Sequence, residues 1–153
     1  MSRKVLLSGL GLLLIVGDQL LKDWVVNHIV LGESLTFFPG VMDLTYLQNR
    51  GAAFSLLQGQ FWFFFLTTLL VLGVAGYYFV KSKPYQWERQ VGLCLIMAGG
   101  VGNFIDRLTQ GFVVDMFQFT FVDFAVFNLA DTYLTVGVLI LILDLLRKDE
   151  DEI

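Results

Sequence analysis

A membrane-embedded bundle of four α-helices carrying a small sheet at one end is the fold this sequence predicts, on three observations. Of the 153 residues, 56% are hydrophobic and 15% aromatic, with a mean hydropathy of +0.71, more than a soluble core calls for. The apolar residues fall into four runs, each long enough to cross a hydrocarbon layer of about 30 Å. Two of the connections between those runs carry strand and turn signals in place of ordinary loop composition.

The first span covers residues 5–26. Arg3 and Lys4 ahead of a leucine-rich run resemble the start of a secretory signal, but the run contains Asp18 and ends in Val25-Val26-Asn27-His28, without a small-residue cleavage pattern. It is therefore read as retained. Residues 35–38 and 41–48 flank Pro39-Gly40, which predicts two short strands around a turn. The second and third spans cover 61–80 and 91–108. Phe117, Phe119 and Phe121 then alternate with Gln118 and Thr120 in the two-residue period of a half-buried strand. The sheet is expected on the outer membrane surface with its aromatic side at headgroup depth. The fourth span covers 126–146, and the whole of 1–153 is expected to form a single integral membrane domain without internal repeats.

Orientation follows from the cations. Arg3 and Lys4 precede the first span, Lys81, Lys83 and Arg89 separate the second and third, and Arg147 and Lys148 follow the fourth. The other connections hold little beyond Arg50 and the span-edge pair Lys22 and Arg107. The positive-inside rule puts both termini and the 81–90 loop in the cytoplasm, and 27–60 and 109–125 outside. Net charge is −4, with Asp149, Glu150, Asp151 and Glu152 massed near the end; the near-neutral remainder gives no sign of a nucleic-acid partner. Lone Cys94 reads as a small buried apolar residue, and the single His28 as an interfacial surface residue. Neither suggests a metal centre or another cofactor.

Polar residues inside the spans point to chemistry. A carboxylate at mid-bilayer costs about 2.5–3.5 kcal/mol on insertion scales, so such residues face protein and usually work there. Asp18, Asp106 and Asp131 are of this kind. At 1.5 Å rise per residue Asp18 lies roughly 12 Å below the outer end of its helix, and Asn103, Asp106 and Asp131 within about 8 Å of theirs. Asn103, Asp106 and Arg107 share a helix face, as do Asn128, Asp131 and Thr135, while Asp18 and Lys22 stand one turn apart. Asp106 beside Arg107, and Asp18 near Lys22, could be neutralised ion pairs holding helices together. Asp131 has no cation within its own turn, so its partner must come from elsewhere: Asp106, Asp115 or Asp123. Two carboxyls within hydrogen-bonding distance share one proton and can act as base and acid. The alternative is a solvated loop acid at Asp115 and a helix N-terminal charge at Asp131.

Five ordered blocks settle on a family. Asp18-Gln19-x-x-Lys22, Asn49-Arg50-Gly51-Ala52-Ala53-Phe54, Gly99-Gly100-x-Gly102-Asn103-x-x-Asp106-Arg107, Val113-Val114-Asp115 and Phe127-Asn128-x-Ala130-Asp131 resemble the lipoprotein signal peptidases, the type II signal peptidases of bacteria. The resemblance implies an aspartic endopeptidase with its dyad at Asp115 and Asp131, supported by Asp18, Lys22, Asn49, Gly51, Asn103, Asp106, Arg107 and Asn128, with no metal or cofactor. It further implies a four-helix membrane fold with an extracytoplasmic β-cradle and a short amphipathic helix. The substrates implied are diacylglyceryl-modified prolipoproteins cut before the lipidated cysteine. Membrane lipids are implied partners, and cyclic peptide antibiotics such as globomycin are implied occupants of the site. Met116 departs from the aromatic residue more usual there. The segment at 49–54 is expected to cover the site. A small transporter relaying ions through intramembrane acids, or a scaffolding subunit, are the other classes such a chain could serve. Acids gathered at one leaflet argue against the first, and an uncompensated Asp131 against the second.

Overall fold

The computed structural model describes residues 3–51 and 59–151, with side chains through Arg147. In chain order these form α1 (Arg3–His28), β1 (Ser34–Phe38), β2 (Met42–Asn49), α2 (Phe61–Lys81), α3 (Trp87–Gln110), β3 (Val113–Phe119) and α4 (Leu129–Asp151). All four helices are long and apolar enough to cross a membrane. Ala52, Ala53 and Phe54, and with them half of the expected cover over the site, lie outside the described residues. Among the described residues the connecting segments hold strands and turns and no further helix.

α3 is the axis of the bundle: 56% of its membrane-length window is buried, against 17%, 11% and 17% for α1, α2 and α4. Glycine makes this possible. A Cβ on Gly99 would strike the Ala130 carbonyl oxygen, and one on Gly92 would lie 2.9 Å from the Gly137 oxygen. The backbones of α3 and α4 thus touch without intervening side chains, the packing mode of membrane helices that lack a hydrophobic drive toward each other. Away from the sheet, α1, α2 and α3 close around Leu7, Ala75, Phe79, Leu93 and Ile96 together with Cys94, whose thiol donates to the Leu7 carbonyl at 3.1 Å.

The three strands form one antiparallel sheet in the order β1-β2-β3, so the 27–60 and 109–125 connections meet at one end of the bundle. At the other, Arg3 donates to the Pro84 carbonyl and Arg147 to Glu88. β3 covers 113–119 and so begins before the expected stretch of alternating aromatics and stops short of Phe121. Its even positions, Val114 and Met116, are buried against Val25 of α1 and Ile29 just beyond it, and Met116 is fully enclosed. Its odd positions, Asp115, Phe117 and Phe119, face the opposite way. Phe117 and Phe119 pack on Phe127 at ring separations of 5.6 and 5.4 Å. The aromatic stripe therefore helps wall a cavity.

Two helix boundaries differ from the hydropathy reading for physical reasons. α4 begins at Leu129 because Phe127 is paired to the sheet, its carbonyl accepting from the N–H groups of Met116 and Phe117. α3 begins at Trp87 because Arg89, too polar for an apolar run, is held by Asp144 of α4.

Candidate active site

α4 starts with a capping box. The Asn128 side-chain oxygen accepts from the Asp131 N–H at 2.9 Å, and the Asp131 carboxylate accepts from the Asn128 N–H at 3.3 Å. Each satisfies a donor that a helix start leaves without an intrahelical partner. The intervening Ala130 N–H is taken by Asp18 of α1 at 3.0 Å. Asp131 is thus a first-turn acid favoured by the helix dipole and, being only half buried, also open to the cavity.

Asp115 arrives from the other side. Gly111 ends α3 in the left-handed conformation, φ 76°, a geometry glycine adopts without steric cost, and β3 starts two residues later. Asp106 accepts from the Val114 N–H at 3.0 Å, while Asn128 donates to the Val114 carbonyl at 3.3 Å. With the residue before it held at both polar groups, Asp115 is aimed into the cavity and is 1% exposed. Burial pushes its carboxyl up to about 7, the negative charge of Asp131 adds to the rise, and N–H groups from Asn49 and Asn128 oppose it.

Three asparagines tie the two acids together. Asn128 donates to Asp115 Oδ1 at 2.7 Å and to Asn103 Oδ1 at 3.1 Å; Asn49 donates to Asp115 Oδ2 at 3.0 Å; Asn103 donates to Asp131 Oδ1 at 2.7 Å. Asp115 and Asp131 face one cavity of about 590 Å³, together with Asn49, Gly51, Asn103 and Arg107. Asp123, the other acid considered as a partner, is exposed outside β3.

Asp18 and Asp106 share one cation, and not as their sequence neighbours suggest. Lys22 bonds Asp18 at 2.9 Å and Asp106 at 3.1 Å, and all three side chains are at most 3% exposed. The expected pair of Asp18 with Lys22 exists. The expected pair of Asp106 with Arg107 does not, because successive helical residues point apart. Arg107 instead lies 4.8 Å over the Phe64 ring and donates to the Gly51 carbonyl at 3.3 Å. Lys22, read as a span-edge cation, is interior. Gly51 is held on both sides, since its N–H donates to Asn49 Oδ1 at 2.9 Å.

Gln19 was not singled out by sequence reasoning, yet its amide donates to Asp106 at 2.9 Å, to the Gly102 carbonyl at 3.1 Å and to Asp18 at 3.2 Å. Its place beside Asp18 in the first block was the available signal. Asp144 also went unremarked: it is a buried acid in α4, bonded by Arg89 at 2.8 Å. An apolar core separates it from the Asp18 cluster, so among the described residues no relay of acids runs the length of the bundle. Cys94 is buried. His28 is exposed, stacked on Trp24.

Comparison with known proteins identifies the family and the fold. The family described as signal peptidase (SPase) II matches residues 10–147. The lipoprotein signal peptidase of Streptococcus pyogenes serotype M5 (strain Manfredo) is 54% identical over 140 residues, 92% of this chain and 91% of the relative; that of serotype M18 (strain MGAS8232) matches to the same extent. Among solved structures, a bacterial membrane enzyme determined by the in meso method at 2.3 Å superposes with a TM-score of 0.90 at 34% identity, covering 98% of this chain and 91% of that one. Another at 1.9 Å gives 0.83 at 35% identity over 94% and 92%. A four-span helical membrane protein with these five blocks, matched over nearly its full length by sequence and by shape, belongs to the signal peptidase II family of peptidases.

Proposed function

We propose that this chain is an aspartic endopeptidase that removes the signal peptide from diacylglyceryl-modified prolipoproteins, cutting before the lipidated cysteine, with Asp115 and Asp131 as its catalytic pair. One observation carries the reading: these two carboxyls face a single cavity and both accept from Asn128, Asp115 from its side-chain amide and Asp131 from its backbone N–H, while Asp18 and Asp106 beside them are tied up by Lys22. The family and its relatives supply the substrate class.

In the proposed mechanism a water held between the pair gives a proton to the ionised member as its oxygen attacks the carbonyl carbon. The protonated member then delivers a proton to the leaving amine. Asp115, with its carboxyl raised to about 7, suits the acid's part near neutral pH. The protonation states belong to the coupled pair.

The cavity continues past the acids along Thr68 of α2, Gly100 of α3 and Thr135 of α4. It can take a peptide at the sheet end and acyl chains along the helices. The charge pattern supports cytoplasmic termini and a site at the outer leaflet of the bacterial cell membrane. Membrane lipids then bathe the helices, and a cyclic peptide of the globomycin class could occupy the same cavity.

Purified protein incubated with lipidated and unlipidated precursor, with a chelator present, tests this reading. Cleavage of the lipidated form alone, unaffected by the chelator and absent in Asp115→Asn, is expected. Normal cleavage by Asp115→Asn or by Asp131→Asn would remove the pair.

A further inference from the structure

Each of the three asparagine amides at the site has its polarity set by a group that can only donate. The Asp131 N–H occupies Asn128 Oδ1 and the Gly51 N–H occupies Asn49 Oδ1, each at 2.9 Å. For Asn103 the donor is Lys22, whose ammonium lies 3.0 Å from Oδ1. A carboxamide presents oxygen on one side and N–H on the other. With its oxygen held by an ammonium, Asn103 turns its N–H to Asp131 at 2.7 Å.

From this we infer that Lys22 is a positioning residue for the reaction, which by fixing the orientation of the Asn103 amide keeps Asp131 the ionised member of the pair. The inference rests on the aspartic reading above and concerns which acid acts as base. Lys22 has a hydrogen-bonding partner for each of its three N–H groups in Asp18, Asp106 and Asn103, so its influence on Asp131 passes through the amide and through its charge. The other charged groups facing Asp131 are Asp115 from β3 and Arg107 from α3. From α2 the cavity receives Phe64 and Thr68, which do not ionise.

An amide free to turn could put its oxygen against Asp131, which disfavours the anion. The base would then protonate at higher pH, and the acid limb of kcat/KM would move upward. Lys22→Gln tests this, since a glutamine can offer either an acceptor or a donor to Asn103. Because it also removes a charge, Lys22→Gln is paired with Asp106→Asn; the double variant loses one charge of each sign and keeps an acceptor for the Val114 N–H. Lys22→Arg retains a group that only donates.

Cleavage of lipidated precursor is measured across pH for all of these, with thermal unfolding to confirm a folded protein. The acid limb is expected to rise by about one pH unit in Lys22→Gln and in the double variant, and to stay in place in Lys22→Arg whatever happens to kcat. An unmoved limb in the charge-balanced variant, or an equal shift in Lys22→Arg, overturns the inference. For a folded variant without turnover, infrared titration of isotope-labelled aspartate reads the same shift or its absence. A glutamine variant that does not fold leaves the decision to the Lys22→Arg limb, which must coincide with that of the wild type. Asp131→Asn in the same assay separates the two ideas: retained cleavage there sinks the aspartic reading itself, whereas a displaced limb in Lys22→Arg sinks only the role of Lys22.

Discussion

The two ends of the bundle both hold carboxylates against cations, and they do so in opposite ways. Away from the sheet, Arg89 meets Asp144 and Arg147 meets Glu88, with the arginines 24% and 69% exposed. At the sheet end one lysine serves two acids, all but removed from solvent, and neutral amides make up the rest of the network. The first arrangement sets arginines that reach solvent against acids of a neighbouring helix and tethers α3 to α4. The second is short of positive charge beside two further carboxyls, a condition under which a proton is retained.

The largest contrast is in catalysis. Asp131→Asn is expected to lower cleavage of a lipidated precursor by about 10³-fold, within the usual range for an acid–base group. Asp144→Asn, a buried acid of the same helix, should stay within about threefold if general acid–base work is confined to the sheet end. Comparable losses in a turnover assay would erase the distinction between the ends.

Stability should separate them next. Lys22→Met leaves Asp18 and Asp106 buried without their cation and is expected to cost about 3–5 kcal/mol. Arg89→Met breaks a partly exposed pair and should cost about 1 kcal/mol. Thermal or denaturant unfolding in detergent measures both.

Asp115 sharpens the comparison through pH. With its carboxyl raised to about 7 from an ordinary 3.8, the folded state holds a proton that the unfolded chain has released. Stability therefore falls as pH rises between these values and levels off above them. Asp115→Asn should remove that slope, gaining little below about pH 4 and up to a few kcal/mol above pH 7, at about 1.4 kcal/mol per pKa unit. The wild-type rate should decline as pH rises past about 7, where the acid loses its proton. The smallest effect is expected at the exposed pair: Arg147→Ala should change stability by less than about 0.5 kcal/mol.

What could be read from the chain follows the same division. Hydropathy located four helices because crossing a bilayer demands long apolar runs whatever the tertiary fold. It misplaced the start of α4 because pairing of Phe127 with the sheet is a tertiary fact. The two-residue period of Phe117 and Phe119 was legible, and carried back to Asp115 it gives the face of the strand on which that acid lies. Spacing alone left the pairing of Asp115 with Asp131 open; the ordered motifs selected it. The partner of Asp106 was misread because its adjacent arginine is near in sequence and turned away in space, whereas Lys22 comes from another helix. Gln19 passed unnoticed because an uncharged amide next to an aspartate carries no periodic signal.

The bond from the Asp18 carboxylate to the Ala130 N–H joins the first span to the start of the last, 112 positions later in the chain. Until that final segment has entered the bilayer, Asp18 can hold Lys22 of its own helix but not the start of α4, and Asp131 has no place in the network. On the proposed reading, a polypeptide still leaving the ribosome is inert toward every neighbouring precursor, and hydrolytic competence arrives only with the completed chain.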